Sequence, residues 1–141
     1  MELKLRYVKH FYGPYAHNLN KVLEILEGHH IRGYGDTQKP DVEIHLRPDA
    51  DKEADQFLRK DPKATERLEQ VADLVDGFET PYGMEMLASV HWAAVHDGDV
   101  SDAESAVAAM ARWNDRKRRL FKPEHIRLAW KRLQYEGWLK M

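Results

Sequence analysis

Histidines and carboxylates are the residues of this sequence that could bind a metal ion or transfer protons. None of the eight histidines stands in the His-Glu-x-x-His arrangement that places two imidazoles and a base on one helix face. His91 and His96 are five positions apart, a poor spacing for shared ligation on a helix. The apolar neighbours of His91 favour a structural role in the core. Cysteine is absent, which excludes cysteine-ligated centres, so we expect no metal site and no cofactor.

Motifs of nucleophilic or phosphate chemistry are missing as well. The sequence has no Gly-x-Ser-x-Gly turn and no P-loop, and the Gly33-x-Gly35 pair lacks the third glycine of a dinucleotide fingerprint. The carboxylates of Asp73 and Asp76 fall on one predicted exposed helix face, where solvation is a commoner role than acid–base catalysis. We therefore predict that the chain is not an enzyme and has no catalytic residues.

Acidic residues are concentrated in the middle of the chain. Residues 41–85 hold 13 acidic and 6 basic side chains, and aromatic residues stand among them. Spaced carboxylates with aromatic rings can imitate the phosphates and bases of DNA toward a cationic groove; a solvated helix face is the alternative interpretation. The residues of this cluster are Asp73, Asp76, Phe78, Glu79, Tyr82 and Glu85.

Basic residues are concentrated at the C-terminal end instead. Residues 112–141 hold 10 basic and 3 acidic side chains, which allows phosphate contacts. The alternative is a surface helix whose Trp130 and Trp138 pack inward. Because the acidic middle would repel a long polyanion, we do not expect direct nucleic-acid binding. The candidate nucleic-acid contacts are Arg116, Lys117, Arg118, Arg119 and Lys122.

A mainly helical fold must position these residues. Apolar spacing, prolines and caps predict helices over about residues 15–28, from residue 49 or 51 to 59, from Asp61-Pro62 to Gly77, from Thr80-Pro81 onward, from a Ser101–Glu104 capping box to Trp113, and from Pro123 to Gly137. Alternating residues predict a short strand over 42–46. The expected fold is a compact bundle of about six helices with a short strand or hairpin, winged-helix-like at the C-terminus.

Length and hydropathy bound the organisation of the chain. The 141 residues fit a single domain, 1–141, with residues 1–12 as a linker or lead segment. No run of 18 apolar residues and no signal peptide is present, so we expect a cytoplasmic protein without membrane contact.

Four blocks of the sequence resemble the C-terminal region of DarG-type antitoxins. They cover residues 11–19, 26–36, 77–92 and 113–126, and the Glu79-Thr80-Pro81-Tyr82-Gly83-Met84 segment is the most specific. In that family, an N-terminal macrodomain removes ADP-ribose from DNA and the C-terminal region binds the partner toxin. The macrodomain is absent from this chain, so the resemblance implies a toxin-binding domain without the hydrolase activity.

The function implied by the resemblance is inhibition of a DarT-type toxin, which ADP-ribosylates DNA. An acidic, aromatic surface would occlude the toxin's DNA-binding channel by partial DNA mimicry. The alternative is a DNA-binding or regulatory winged-helix-like module that uses the basic C-terminal segment. The candidate toxin-binding residues are Tyr34, Asp36, Asp73, Asp76, Phe78, Glu79, Tyr82 and Glu85.

Overall fold

The computed structural model describes residues 4–34 and 43–140, and this part of the chain is mainly helical, as predicted. Its elements are β1 (Val8–His10), β2 (Gly13–Tyr15), α1 (His17–Leu26), β3 (Ile31–Arg32), β4 (His45–Leu46), α2 (Ala50–Arg59), α3 (Pro62–Val75), α4 (Pro81–His96), α5 (Ala103–Trp113), α6 (Asp115–Leu120) and α7 (Pro123–Tyr135). The contacts divide the chain into a first unit, Met1–Tyr7 with Ala16–Leu68, and a second unit, Val8–Tyr15 with Glu69–Met141.

The first unit buries few apolar side chains among its described residues. Its buried hydrophobic residues are Ala16, Ile31 and Ala50. The strands β3 and β4 pair antiparallel. Of the strand predicted over residues 42–46, His45 and Leu46 form β4, Glu43 and Ile44 do not, and residue 42 lies outside the described residues. The hydroxyl of Thr65 donates to the Leu58 carbonyl at 2.8 Å and thereby joins α2 to the first turn of α3.

The second unit contains a continuous hydrophobic core between α4, α5 and α7. Its largest fully buried apolar side chains are Met86, Val90, Met110, Ile126 and Leu133. Helix α4 begins where the sequence predicts, because the Thr80 side chain accepts a hydrogen bond from the backbone N–H of Gly83 and a proline follows it at the first helical position. As its apolar sequence predicts, α4 contributes more buried residues than any other described helix.

Two local predictions fail in the last third of the chain. The capping box of α5 joins Asp102 and Ser105, each of which accepts a backbone N–H of the other, instead of Ser101 and Glu104. Helix α6 was not expected, because six mostly charged residues, Asp115–Leu120, carry no apolar stripe. Residues 114–140, all described, contain two helices and no strand, so the wing of a winged helix has no counterpart here.

A short hairpin of β1 and β2 belongs to the second unit. The strands pair Val8 with Tyr15 and His10 with Gly13, inside and just beyond the stretch expected to be a lead segment. Two side chains anchor its turn: the Trp113 indole donates to the His10 carbonyl, and the Asn114 amide donates to the Phe11 carbonyl, both at 2.8 Å. The hairpin is thereby held at the junction of α5 and α6.

No helix within residues 4–34 and 43–140 combines the length and the apolar character needed to cross a membrane.

Candidate functional site

A groove of about 620 Å³ runs beside α7 in the second unit. Its walls are largely apolar: α4 supplies Tyr82 and Met86, α7 supplies Leu128 and Tyr135, and Phe78 comes from the connection before α4. The Tyr135 side chain is 86% exposed at the rim. Such a cleft, walled by apolar side chains and rimmed by an exposed aromatic ring, is typical of a binding site. We name it the α4–α7 groove.

A tyrosine–histidine pair gives this groove a polar group. The Tyr82 hydroxyl lies 2.9 Å from Nδ1 of His125 and accepts the backbone N–H of Lys122 at 3.1 Å. Because its oxygen accepts from Lys122, the hydroxyl proton is free to be donated to Nδ1 of His125. The Tyr82 ring also packs edge-on against Phe121, with ring centroids 5.6 Å apart. Tyr82 is therefore fixed in place by tertiary contacts.

The Arg132 side chain caps the C-terminal end of α3. One of its guanidinium nitrogens donates to the carbonyls of Asp73 and Leu74, each at 3.2 Å, and of Asp76 at 2.5 Å. These carbonyls lie at and just beyond the helix end, where no intrahelical donor is available. The guanidinium also lies 5.3 Å from the centre of the Phe78 ring. Arg132 therefore fixes the connection between α3 and α4.

Acidic side chains surround this connection. A second cavity, of about 480 Å³, is lined by Asp73, Asp76, Arg132, Tyr135 and Glu136. Arg132 and Tyr135 line the α4–α7 groove as well, so the two cavities adjoin. The carboxylate of Glu79 accepts the backbone N–H of Gly77 at 2.9 Å and belongs to the same connection. We name Asp73, Asp76, Glu79 and Glu136 the acidic end of the groove.

The structure thus brings together five of the predicted toxin-binding residues. Asp73, Asp76 and Glu79 stand at the acidic end, and Phe78 and Tyr82 line the adjoining groove. Helix α7 was predicted, but its part in this site was not: the helix supplies Leu128 and Tyr135 to the groove wall, and Glu136 directly after it stands at the acidic end.

Glu85 was predicted to be a surface contact, but the structure places it in an internal ion cluster. Its carboxylate accepts two bonds from Arg116, at 2.6 and 3.1 Å, and one from the Lys117 ammonium at 2.6 Å. The side chain of Glu85 is 14% exposed and that of Lys117 is 0% exposed. The prediction that Lys117 contacts phosphate is therefore not compatible with this structure, since its ammonium faces the interior.

Burial and ion pairing have opposite effects on the pKa values of Glu85 and Lys117. Burial favours a higher pKa for Glu85, but the hydrogen bonds from Arg116 and Lys117 outweigh it and leave the pKa below its ordinary value. Burial lowers the pKa of Lys117, and the bond to Glu85 only partly opposes this. Both pKa values are thus lowered, which favours the charged form of Glu85 but the neutral form of Lys117, because Lys117 is fully enclosed whereas Glu85 keeps some contact with water. The hydrogen bond to Glu85 raises the pKa of Arg116.

The two remaining toxin-binding candidates are Tyr34 and Asp36. Tyr34 belongs to the first unit, where its hydroxyl donates to the Asn20 side chain at 2.8 Å and its backbone N–H donates to the Glu27 carboxylate at 3.0 Å. Asp36 lies outside the described residues.

The basic candidates divide into engaged and exposed side chains. Arg116 is held by Glu85, and Arg118 forms an ion pair with Asp115. Arg119 and Lys122 are exposed, and no carboxylate among the described residues forms an ion pair with either. Arg116 and Arg118 nevertheless keep 28% and 59% of their side-chain surface exposed.

A second group of aromatic and basic side chains meets at the β1–β2 hairpin, which sequence reasoning did not single out. The Lys9 ammonium lies 4.5 Å from the centre of the Trp113 ring. The Arg116 guanidinium lies 4.6 Å from the Tyr12 ring and 6.0 Å from the Phe11 ring. We name these five residues, together with Arg119 one helical turn beyond Arg116, the hairpin–α6 surface.

The histidines do not converge in the described residues, where no group of three His, Asp or Glu side chains is arranged to hold a metal ion. His91 is half-buried, with its ring edge-on to Trp138 at 6.0 Å. Burial lowers the pKa of His91 against an opposing hydrogen bond to the Trp138 backbone.

Comparison with known proteins found no matching family model but did find related sequences. The chain is 44% identical over 140 residues to a DNA ADP-ribosyl glycohydrolase of Thermus aquaticus, covering 99% of this chain and 38% of that protein. Proteins of the same name from Mycobacterium tuberculosis and Mycobacterium bovis are 30% identical over 138 residues, covering 94% of this chain and 39% of each protein. The chain therefore spans less than half the length of these relatives.

These names correct one prediction. Each relative is named as an enzyme, so the prediction that the chain is not an enzyme is wrong as it stands. Almost the whole chain is thus related to a segment of proteins named DNA ADP-ribosyl glycohydrolase.

Proposed function

We propose that this chain binds and neutralises a DarT-type toxin, as the toxin-binding part of a DarG-type antitoxin. The observation that carries the proposal is the acidic end of the groove, where Asp73, Asp76 and Glu136 adjoin an apolar, aromatic cleft. A toxin that modifies DNA has to hold a polyanion and therefore needs a cationic channel. The acidic end offers that channel carboxylates in place of phosphates.

The related sequences support this context. Their name, DNA ADP-ribosyl glycohydrolase, describes an activity on ADP-ribosylated DNA, the product of a DarT-type toxin. In our proposal, the relatives counter the toxin by two routes, through that hydrolase activity and through direct binding of the toxin by the region to which this chain is similar.

The geometry supports DNA mimicry as the mode of inhibition. Arg132 lines the cavity at the acidic end together with Asp73 and Asp76, but its guanidinium is engaged in hydrogen bonds to the carbonyls of Asp73, Leu74 and Asp76. The exposed Tyr135 ring and the apolar Leu128 beside it supply contact area next to the charges. Hot spots of protein interfaces commonly combine a buried aromatic anchor with charges at the rim.

The first test reverses the acidic end. A D73K/D76K/E79K variant should bind a catalytically inactive DarT-type toxin on the order of 100-fold more weakly, because attraction to the channel becomes repulsion. Its remaining affinity should depend less on salt concentration than that of the parent chain. Biolayer interferometry at several salt concentrations measures both effects.

A matched control separates local from general charge effects. The D51K/D55K/E66K variant makes the same charge change at exposed acidic residues of α2 and α3 and should keep most of the affinity. Circular dichroism has to show that both variants remain folded. Equal affinities of parent and D73K/D76K/E79K would reject DNA mimicry while leaving toxin binding intact.

Neutralisation itself is tested with the active toxin. The parent chain should co-elute with the inactive toxin in size-exclusion chromatography and should stop DNA ADP-ribosylation by the active toxin at an equimolar ratio. Separate elution together with undiminished modification would reject the proposed function.

A further inference from the structure

We propose that the hairpin–α6 surface binds single-stranded nucleic acid, with Phe11 and Tyr12 stacking on bases and Lys9, Arg116 and Arg119 contacting phosphates. None of these residues belongs to the α4–α7 groove or its acidic end. The inference therefore goes beyond the proposed function and does not depend on it.

The aromatic part of this surface is exposed at the hairpin turn. The side chains of Phe11 and Tyr12 are 48% and 60% exposed, and their rings meet edge-on with centroids 4.9 Å apart. Burial of such side chains would be favourable, yet the turn leaves both of them in water. Exposed aromatic rings beside cations form the stacking platforms of proteins that bind single strands.

The cationic part is held in position before any ligand arrives. Arg116 makes two bonds to Glu85 and lies over the Tyr12 ring. The cluster of Glu85, Arg116 and Lys117 carries a net charge of one positive unit, so the carboxylate does not cancel the attraction for phosphate. Lys9 is placed over Trp113 by the pairing of β1 with β2.

Arg119 extends the positive charge along α6. Residues three apart are neighbours on one side of a helix, so Arg119 follows Arg116 on the side that meets the hairpin. Its side chain is exposed. The neighbouring Arg118 points to another side of the helix and is paired with Asp115.

This surface favours a single strand over a duplex and over an acidic protein. Stacking on Phe11 and Tyr12 requires bases that are free of a partner strand, and three spaced cations match a repeating phosphate backbone. The inference departs from the expectation of no nucleic-acid binding, because the sequence separates the hairpin aromatics from the basic segment by roughly 100 positions, whereas the fold joins them.

Fluorescence anisotropy of a labelled oligo(dT) strand of about 20 nucleotides, titrated with the full chain, tests the proposal. Three phosphate contacts predict an affinity that falls about 20-fold between about 50 and about 200 mM salt. Tyr12→Ala should weaken binding about tenfold through the loss of one stacked base.

Two matched pairs of variants make the test specific. Arg119→Glu should weaken oligonucleotide binding clearly more than Arg118→Glu, which makes the same charge change one residue away. Tyr135→Ala removes another exposed tyrosine, from the groove, and should weaken toxin binding but leave oligonucleotide binding unchanged, whereas Tyr12→Ala should do the reverse.

Three outcomes would overturn the proposal. The first is no oligonucleotide binding at low salt. The second is an equal loss of oligonucleotide affinity in Arg119→Glu and Arg118→Glu, and likewise in Tyr12→Ala and Tyr135→Ala. The third is a Tyr12→Ala variant that loses toxin binding and retains oligonucleotide binding, which would assign the hairpin–α6 surface to a protein partner. Each outcome leaves the reversal test of the acidic end unaffected, so the two proposals can fail separately.

Discussion

Glu85 is the carboxylate of the internal ion cluster, and its side chain is 14% exposed. It stands among acidic and aromatic neighbours in the sequence, but its carboxylate is enclosed by Arg116 and Lys117. A buried ion pair adds little net stability, because desolvation offsets the attraction, yet removal of one partner leaves the other charge buried and unpaired. The consequences of substitution at Glu85 and Lys117 should therefore be unequal.

Glu85→Gln should lower the free energy of unfolding by about 3–5 kcal/mol, because it leaves the Lys117 ammonium without a counter-charge. Lys117→Met should cost less than about 1 kcal/mol, since Glu85 keeps its two bonds to Arg116 and a buried cation is removed. Urea denaturation of the two variants and the parent measures the difference. Equal losses in both variants would show that the ion cluster does not act as described.

The contribution of Glu85 should also depend on pH. Its pKa in the folded chain lies below the ordinary value of 4.5, so its stabilising effect is complete above that pH and is lost as the pH falls through the folded pKa. The difference in unfolding free energy between parent and Glu85→Gln should therefore be constant near neutrality and shrink below about pH 4.5. Urea denaturation between neutral and acid pH measures it; a difference that is independent of pH would contradict this assignment.

At the scale of elements, the Asn114 side chain bonds to both α6 and the β1–β2 hairpin. Its side-chain oxygen accepts the backbone N–H of Lys117 and caps α6, while its side-chain nitrogen donates to the Phe11 carbonyl of the hairpin turn. Capping and hairpin anchoring therefore depend on opposite ends of one amide group.

Asn114→Asp should keep the cap and lose the anchor, because a carboxylate accepts but does not donate. We expect amide hydrogens of residues 8–15 to exchange about tenfold faster, with little loss of overall stability. Asn114→Ala should show the same exchange and a further loss of about 1 kcal/mol from the missing cap. Hydrogen-exchange mass spectrometry and denaturation distinguish the two; unchanged hairpin exchange in Asn114→Asp would refute the anchoring role.

Local sequence signals predicted most of the helices but not which elements pack against one another. Thr80-Pro81 and Asp61-Pro62 begin helices as expected, because a capping oxygen and a fixed proline φ act within one turn. Helix α6 has no such periodic signal and forms where Asn114 caps it between α5 and α7. The exchange of Ser101 for Asp102 as the cap of α5 shows that adjacent capping residues are not separable by sequence alone.

At the scale of the whole molecule, the same limit applies to the candidate site. Asp73, Asp76 and Glu79 could be predicted together because they lie within seven positions of one another. Glu136 and Tyr135 could not, since α7 reaches the acidic end only through tertiary packing. The burial of Lys117 and the meeting of the hairpin with α6 depend on contacts across the fold, which hydropathy and spacing do not encode.

The two units should differ in local stability. The first unit buries only three hydrophobic side chains among its described residues, whereas α4, α5 and α7 share a continuous core. Regions with few buried apolar contacts open at lower free energy, so amides of α1 and α2 should exchange at least about tenfold faster than those of α4 and α7. Native-state hydrogen exchange measures this; equal protection of both groups would contradict it.

The turn between α3 and α4 has a consequence for the thermodynamics of any complex formed at the acidic end. A Cβ added to Gly83 would lie 2.5 Å from the Phe78 carbonyl oxygen, so the turn folds directly onto the first turn of α4. The Arg132 guanidinium donates to the carbonyls of Asp73, Leu74 and Asp76 and thereby holds the end of α3 beside this turn. A turn held by these contacts needs little rearrangement on binding, so a complex formed at the acidic end would lose little conformational entropy on this side.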